Sequence, residues 1–280
     1  KDKKLDVINN KNYPIADIMK SNEKKPSLIM SEFAKQGITE FYKPSSEVAL
    51  LENTRMIFRI IRNFSFSRSN QVALCKSEKL FKLVLVLFVE GVDTEITKDC
   101  LDIISNISQH IQLKQLPECT KFCERIYKYL DSEAVEEVES ALECLKNLIL
   151  TQENEAIIES HLSTFLDSVI NLMVHPKSDI RDSVLEFFVF LSDLKMATRV
   201  TISKHPKSLL RLVGLLVSGS GKNMDKTTKL AALILSNLSM APASKVHFLP
   251  YERDLFVVAA SDSSVSNIIT SILADMENPN

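Results

Sequence analysis

The sequence has little glycine, no tryptophan and no pair of cysteines spaced for a redox or metal motif. Only five of its 280 residues are glycine. Hairpin-rich β folds, Rossmann sheets and P-loops need glycine where φ is positive or where the backbone approaches a phosphate, so all three are disfavoured. With 45% hydrophobic and 25% charged residues, the chain also lies outside the disordered and collagen-like classes. A mostly helical protein with a large core is expected.

Neither charge sign dominates the sequence. Thirty-four Lys and Arg face 36 Asp and Glu, which gives a net charge of −2 and no footprint for binding bare DNA or an anionic membrane. The longest apolar run, residues 83–89, is far shorter than the roughly 20 residues that span a bilayer. We interpret this run as a buried helix, and we expect no membrane partner.

The cysteines and histidines do not suggest a site. The five cysteines are odd in number and lie in apolar patterns, which suits reduced thiols. Cys119 and Cys123 are four residues apart without a matching histidine pair, so we interpret them as core residues. His175 and His205 each precede a proline and are expected to mark helix starts. We predict no metal site and no cofactor.

No catalytic motif is complete. Residues 219–222 (GSGK) resemble the end of a P-loop, but Leu216 stands where the pattern requires Gly, and Asn223 where it requires Ser or Thr. We therefore interpret this segment as a flexible loop between helices, and we predict no catalytic residues. A helical hydrolase or nucleotide-binding protein with an unfamiliar site is the alternative from another class.

One string occurs five times along the chain. Segments 55–66, 98–109, 139–150, 182–193 and 229–240 align without gaps around Asn63, Asn106, Asn147, Phe190 and Asn237, at intervals of 43, 41, 43 and 47 residues. Such a period is the signature of armadillo and HEAT arrays, in which each unit exposes an apolar face that only its neighbour covers. We predict an all-α, armadillo/HEAT-like right-handed superhelical solenoid of about five to six repeats.

The repeat domain is expected to occupy residues 45–280, with an atypical C-terminal capping repeat at 251–276. Residues 1–44 contain three prolines, nine lysines and one apolar patch at 28–33. This composition predicts a partly irregular N-terminal extension. From residue 45 onward, apolar residues recur at helical spacing.

Helical-wheel positions predict which sides of the repeated helix are buried. In the third copy the predicted core face consists of Val138, Leu142, Leu145 and Ile149. In the first copy it consists of Ile57, Ile60, Ile61 and Phe64, and three arginines occupy the opposite side.

The polar side of the repeated helix changes charge along the array, from Arg55 and Arg59 to Glu139 and Glu143. In armadillo proteins the third helix of each repeat lines a groove. Either these charges merely solvate a helix face, or they receive a partner segment that is acidic toward the first repeats and basic toward the third and fourth. On the second interpretation the candidate partner-binding residues are Arg55, Arg59, Arg62, Asn63, Asn106, Glu139, Glu143, Asn147 and Asn237.

The recurrent asparagine has two possible roles. Its amide can bond to nearby backbone, or to the peptide groups of a ligand. We favour the local structural bond, because Phe190 replaces the asparagine in the fourth copy while the array continues. The arginines near Phe66, with Arg68, predict at most weak, salt-sensitive nucleic-acid contact.

Several stretches resemble a known family. Residues 62–66 (RNFSF), followed by Asn70 and Gln71, resemble the RNLSF-then-Asn signature of the ARID-bearing subunits of SWI/SNF-type chromatin remodellers. Residues 203–210 (SKHPKSLL), 235–238 (LSNL) and Tyr251-Glu252 leading to 260–265 (ASDSSV) resemble the C-terminal part of that family. The likeness spans about residues 45–276, and its divergence suggests a fungal member.

The resemblance implies a non-catalytic scaffold in the nucleus that acts in transcription regulation. Its implied partners are the other remodeller subunits, including the ATPase subunit, with transcription activators as further candidates. The alternative is a generic armadillo or HEAT adaptor in nuclear transport or signalling. The chain departs from the nuclear-import armadillo pattern, because without tryptophan it cannot stack peptides as those proteins do.

Overall fold

The computed structural model describes residues 31, 34–35, 37, 47–219, 225–261 and 264–277. Within these ranges all regular structure is α-helix or 3-10 helix, so the all-α prediction is confirmed. The predicted N-terminal extension, including its apolar patch at 28–33, falls outside these ranges apart from the isolated positions just given. The proposed boundary at residue 44 therefore stays a prediction, and so does the loop at 219–222, of which only Gly219 is described.

The chain forms two compact units, residues 1–125 and 126–280. The described helices of the first unit are α1 (Glu47–Ser65), α2 (Arg68–Lys76), α3 (Glu78–Glu90) and α4 (Thr94–Ile107), followed by the start of α5 (Cys119–Tyr129). Helix α4 packs along both α1 and α3. The apolar run that begins at Leu83 is buried in α3, as its length predicted.

The junction between α3 and α4 has clear stop and start signals. Gly91 ends α3 at φ +62, a left-handed conformation that glycine adopts without strain. Its N–H donates to the Leu87 carbonyl over 3.1 Å. Two residues later the Asp93 carboxylate caps α4 by accepting the backbone N–H groups of Glu95 and Ile96.

The second unit contains the remaining helices. They are α6 (Val135–Ile149), α7 (Glu155–Ser160), α8 (Leu162–Leu172), α9 (Ser178–Asp193), α10 (Met196–Lys204), α11 (Ser208–Ser218), α12 (Lys226–Ser239), α13 (Lys245–Phe248), α14 (Glu252–Ala259) and α15 (Ser266–Glu277). His175 and His205 precede α9 and α11, as predicted. In both, Nδ1 accepts the backbone N–H two residues later, at 3.2 and 3.3 Å.

The five aligned segments lie on equivalent helices, α1, α4, α6, α9 and α12. In the first unit α1 packs on α4, and in the second α6 packs on α9 and α9 on α12. Helix α15 packs on α12 and on α14, so it takes the next place in the succession. The period of the sequence repeats therefore corresponds to structural repeats, each with one equivalent helix.

The predicted core face of α6 is confirmed, because Val138, Leu142, Leu145 and Ile149 are all buried. The prediction for α1 is wrong for three of its four residues, and the fourth, Ile61, is partly buried. Ile57, Ile60 and Phe64 are 41%, 48% and 58% exposed, and Leu50, Thr54 and Phe58 are buried instead.

The exposed face of α1 has a simple cause. At the same repeat positions α4 carries Cys100, Ile103, Ile104 and Ile107, all buried in a helix that packs against α1. The corresponding residues of α6, α9 and α12 are buried as well. Helix α1 is the first of the five equivalent helices, so no earlier equivalent helix of the described chain packs on this side. A wheel shows which residues share a face, whereas burial also requires a neighbour.

Candidate partner-binding site

Apart from Arg62, the predicted site residues stand at the repeat positions of Arg55, Arg59 and Asn63, which lie on one side of the equivalent helices. We call this side the row face. In the second unit it consists of Glu139, Glu143 and Asn147 on α6, Asp182, Glu186 and Phe190 on α9, and Lys229, Leu233 and Asn237 on α12. Spacings of four residues keep each set within about 80° of the helix circumference.

Two of the four recurrent asparagines, Asn106 and Asn237, join neighbouring repeats, whereas Asn147 donates to Glu143 of its own helix over 3.4 Å. The Asn106 amide donates to the Ser65 hydroxyl on α1 over 2.7 Å, and the Asn237 amide donates to the Ser192 hydroxyl on α9 over 3.0 Å. Each serine also donates its own proton to the carbonyl three residues earlier. The structural role favoured from the sequence is therefore observed, although the partner is a serine of the preceding repeat rather than nearby backbone.

The exception at Phe190 follows the same geometry. In the aligned segments the serine stands two residues after the asparagine, but the third copy carries Ile149 there, without a hydroxyl group. The next repeat then carries Phe190 in place of the asparagine. Donor and acceptor are missing together, so no polar group loses its partner. Ile149 is buried, and Phe190 is 39% exposed.

The arginines of α1 have carboxylate partners on α4. Arg55 Nη2 lies 2.8 Å from Asp93, Arg62 Nη1 lies 2.8 Å from Asp99, and Arg59 Nη2 lies 3.1 Å from Glu95. These guanidinium groups connect successive repeats. Arg59 is the most exposed of the three and retains the most surface for a partner. Asn63 is exposed.

The pKa values of Asp93 and Asp99, the carboxylates that pair with Arg55 and Arg62, are shifted in opposite directions. Partial burial raises the pKa of Asp93, but hydrogen bonds from Arg55 and the α4 backbone outweigh it, and the net pKa is lowered. Burial is the larger effect at Asp99 and raises its pKa, despite the opposing charges of Arg62 and Arg59. The difference arises because Asp93 also caps a helix, where backbone N–H groups favour the charged form.

In the second unit Glu186 is the row-face carboxylate with two lysine partners. Lys146 of α6 lies 3.1 Å from it and Lys226 of α12 lies 2.6 Å from it. Burial alone would raise the pKa of Glu186, but the two lysines lower it. Glu143 is 2.8 Å from Lys146 and half exposed. Glu139 is exposed, and the described chain provides it with no ion-pair partner.

Exposed apolar side chains on the row face were not among the predicted site residues. Phe190 and Leu233 are exposed on the row face, and Leu150 and Met240 are exposed directly after α6 and α12. The sequence signal was available, because Phe190 and Leu233 replace polar residues at positions that carry Asn or charge in other repeats.

The first unit also contains two small adjoining cavities between α3 and residues 110–118. The more apolar cavity has a volume of about 50 Å³, and its lining includes Leu85, Val89, Leu116 and Phe122. The other measures about 120 Å³ and extends to Cys75 and His110. Both are well below the several hundred Å³ of typical cofactor sites.

The structure also shows where Cys119 and Cys123 lie. Cys123 is buried and Cys119 partly buried at the start of α5, and a hydrogen bond from Cys123 lowers the pKa of Cys119. In the part of the chain that the structure describes, no three His, Cys, Asp or Glu side chains converge as metal ligands would. No described helix has a sufficiently long apolar stretch to cross a bilayer.

Solved structures similar to this chain include designed armadillo-repeat proteins. A designed armadillo-repeat protein, YIII(Dq)4CqI, shares 15% identity at a TM-score of 0.63, over 90% of this chain and 99% of that one. Armadillo-repeat proteins computationally designed for modular peptide recognition share 14% identity at a TM-score of 0.63, over 89% and 98%. The designed protein YIII(Dq.V1)4CPAF in complex with the peptide (KR)4 shares 14% identity at a TM-score of 0.60, over 91% and 100%.

These likenesses define the fold class: the chain is an armadillo-repeat solenoid. No protein-family model and no curated protein sequence matches the chain. The fold, and the side chains on its row face, are therefore the observations from which function can be argued. An armadillo fold is typical of protein-interaction scaffolds, in which repeated helices present a long surface to a partner.

Proposed function

We propose that this chain is a non-catalytic protein-interaction scaffold that binds partner segments on its row face. The observation that carries the proposal is the alignment of exposed polar and apolar side chains on successive equivalent helices. Similar solved structures support it, because one is described as designed for peptide recognition and another as bound to the peptide (KR)4. The charged face of α6 suits such a role for Glu139 and Glu143.

The specific assembly that we propose is a SWI/SNF-type chromatin remodeller in the nucleus. The support is the sequence resemblance of residues 62–66, 203–210 and 235–238 to the ARID-bearing subunits of such complexes. In that setting the chain gathers the ATPase subunit and accessory subunits, and transcription activators are further partners. Its own contact with nucleic acid is weak.

Affinity purification followed by crosslinking mass spectrometry tests this assignment. The tagged chain is purified from nuclear extract and crosslinked through its lysines, among which Lys229 is exposed on the row face. Recovery of a remodeller ATPase with crosslinks to α12 supports the proposal. Recovery of transport cargo or signalling proteins instead supports the alternative, a generic armadillo or HEAT adaptor.

Charge reversal on α6 tests the row face itself. Glu139→Lys combined with Glu143→Lys should reduce partner recovery at least tenfold and leave the thermal midpoint nearly unchanged, since both carboxylates are exposed. Glu153→Lys, an exposed reversal just beyond α6, is the matched control and should retain binding. Equal recovery by the double variant and the control would overturn the role of these two residues.

A further inference from the structure

The row face of the second unit combines an acidic edge with an apolar centre. Helices α6 and α9 each carry four acidic residues and one basic residue, but several of these charges already have partners. Glu186 is bound by two lysines, and Asp182 accepts the Thr227 hydroxyl over 2.6 Å. The carboxylates that remain available to a ligand on this face are Glu139 and, in part, Glu143, both on α6.

The apolar centre lies where α9 meets α12. The hydrogen bonds from Thr227 to Asp182 and from Asn237 to Ser192 both connect residues 45 apart, which fixes the register of the two helices. In that register Phe190 is level with residue 235, between Leu233 and Asn237. Phe190 and Leu233 are 39% and 42% exposed, so together they present an aromatic ring and an aliphatic side chain to solvent.

Phe190 is available at this place because it is not part of the inter-repeat hydrogen bonding. Elsewhere in the second unit the equivalent position is occupied by an asparagine, and Asn237 donates its amide to a serine. With Ile149 in the preceding repeat there is no such serine, so a polar side chain at 190 has no structural task. Phe190 and Leu233 together form a small exposed apolar patch, to which an apolar side chain of a ligand can pack.

Lys229 determines at which end of the row face a ligand can place its positive charge. It is exposed on the α12 side of the row face, and the described chain offers it no ion-pair partner. A second cation placed over α12 would meet this like charge. A ligand that crosses from α6 to α12 is therefore favoured when its positive charge lies over α6 and its apolar side chain over α9 and α12.

The distance between these two contact points sets the spacing in the ligand. Packed helices lie about 8 to 10 Å apart, and an extended chain advances about 3.3 Å per residue. Phe190 also stands one helical turn, about 6 Å, beyond the position level with Glu143. Glu143 and Phe190 are therefore about 11 Å apart, which corresponds to roughly three residues, and Glu139 lies one further turn away. From this juxtaposition we infer that the row face of the second unit binds an extended peptide segment carrying lysine or arginine about three residues from a bulky apolar side chain.

This inference rests on the proposed function and specifies its ligand. Fluorescence anisotropy of short labelled peptides against the full chain measures it directly. The probes are Lys-Lys-Ser-Ser-Phe-Gly and its reverse, Gly-Phe-Ser-Ser-Lys-Lys, since the chain direction is unassigned. The matched controls are Ser-Ser-Ser-Ser-Phe-Gly and Lys-Lys-Ser-Ser-Ser-Gly. At least one probe should bind at least tenfold more tightly than both controls, and raising the salt concentration should weaken it.

Two variants separate the contact points. Phe190→Ser should reduce the affinity for the better probe about tenfold and remove its advantage over the peptide without Phe. Glu139→Gln should reduce the affinity severalfold and flatten its salt dependence. Leu210→Ser, at an exposed leucine of α11 outside the row face, is the control and should bind like the wild type. Thermal denaturation verifies that each variant is folded.

The outcomes also distinguish this inference from the broader proposal. Equal binding of probes and controls, or wild-type affinity in Phe190→Ser, overturns the peptide inference. If partners are nevertheless recovered from nuclear extract and crosslink to other surfaces, the scaffold function holds and only the ligand assignment fails. If neither peptide nor partner binds, both proposals fail together.

Discussion

At the scale of single residues, the informative contact is the bond between the recurrent asparagine and the serine of the preceding repeat. The sequence showed that the asparagine recurs, and its replacement by Phe190 in the fourth copy favoured a structural role. It did not identify the partner, because a contact across about 41 to 45 residues depends on how two helices align. The paired absence of serine at Ile149 and asparagine at Phe190 was the available signal.

Serine variants measure the strength of this bond. Ser192→Ala removes a buried hydroxyl that donates to Val189 and accepts from Asn237. Ser239→Ala removes an equally buried hydroxyl that donates to Ser236 at the equivalent position of α12. We expect Ser192→Ala to cost about 1 to 3 kcal/mol and to exceed Ser239→Ala by about 1 kcal/mol. Urea denaturation of both variants checks this difference, and equal costs would contradict a stabilising role for the Asn237 amide.

Asp93 combines a helix cap with an ion pair, and two substitutions separate these roles. Asp93→Asn keeps the cap and loses the charge that faces Arg55, whereas Asp93→Ala loses both. We expect the alanine variant to be less stable than the asparagine variant by about 0.5 to 2 kcal/mol. Guanidinium or urea titrations at neutral pH give the two free energies of unfolding. Identical stabilities would show that the cap contributes nothing.

The pH dependence of the same pair follows from the pKa of Asp93, which is lower in the folded chain than its ordinary value. A carboxyl group with a lowered folded pKa binds fewer protons in the folded state, so its stabilising effect is complete at neutral pH. That effect is lost as the pH falls below about 4, through the folded pKa. The stability difference between wild type and Asp93→Asn should therefore shrink on acidification. A difference that is constant between pH 7 and pH 3 would contradict this explanation.

At the scale of helices, the sequence predicted most of the repeated elements. The five aligned segments all lie on long helices that pack in succession within each unit, and the core face of α6 follows from wheel positions such as Val138 and Leu145. The predicted core face of α1 was wrong, although α1 has the same pattern of apolar residues as the other equivalent helices. Periodicity is a property of one helix, whereas burial requires a second helix, and no pattern within α1 reports whether that helix is present.

Matched isoleucines on α1 and α4 test this difference. Ile103 is 1% exposed and Ile60, at the equivalent position, is 48% exposed. Ile103→Ala should cost about 2 to 5 kcal/mol, as large-to-small changes in packed cores do, and Ile60→Ala less than about 1 kcal/mol. Chemical denaturation measures both. A cost at Ile60 as large as that at Ile103 would show that this side of α1 is packed in solution.

At the scale of the whole molecule, the charges are nearly balanced and many basic groups on the equivalent helices have acidic partners. Arg55 and Arg62 each contact carboxylates of α4, and Lys146 and Lys226 both contact Glu186. On the five equivalent helices of the described chain, this leaves Lys98, Arg181 and Lys229 as the cations without such an ion pair. This arrangement favours protein segments over nucleic acid as partners.

A direct measurement with duplex DNA checks this preference. With a net charge of −2, the chain should bind a 20-base-pair duplex only weakly at low salt, and binding should be lost near 150 mM salt. Fluorescence anisotropy across a salt series gives both the affinity and its slope. Arg59→Gln, at the most exposed arginine of α1, should remove part of any low-salt signal. Submicromolar binding at 150 mM salt would contradict the assignment of protein partners.

The open apolar side of α1 has a practical consequence for engineering. The exposed residues on this side of α1 stand at positions that are buried in each later repeat. This side of α1 is therefore suited to packing against an added helix. A designed armadillo cap that replaces residues 1–46, with its last helix over Ile57, Ile60 and Phe64, should lengthen the array by one module. It would also convert these three solvent-facing side chains into interior ones.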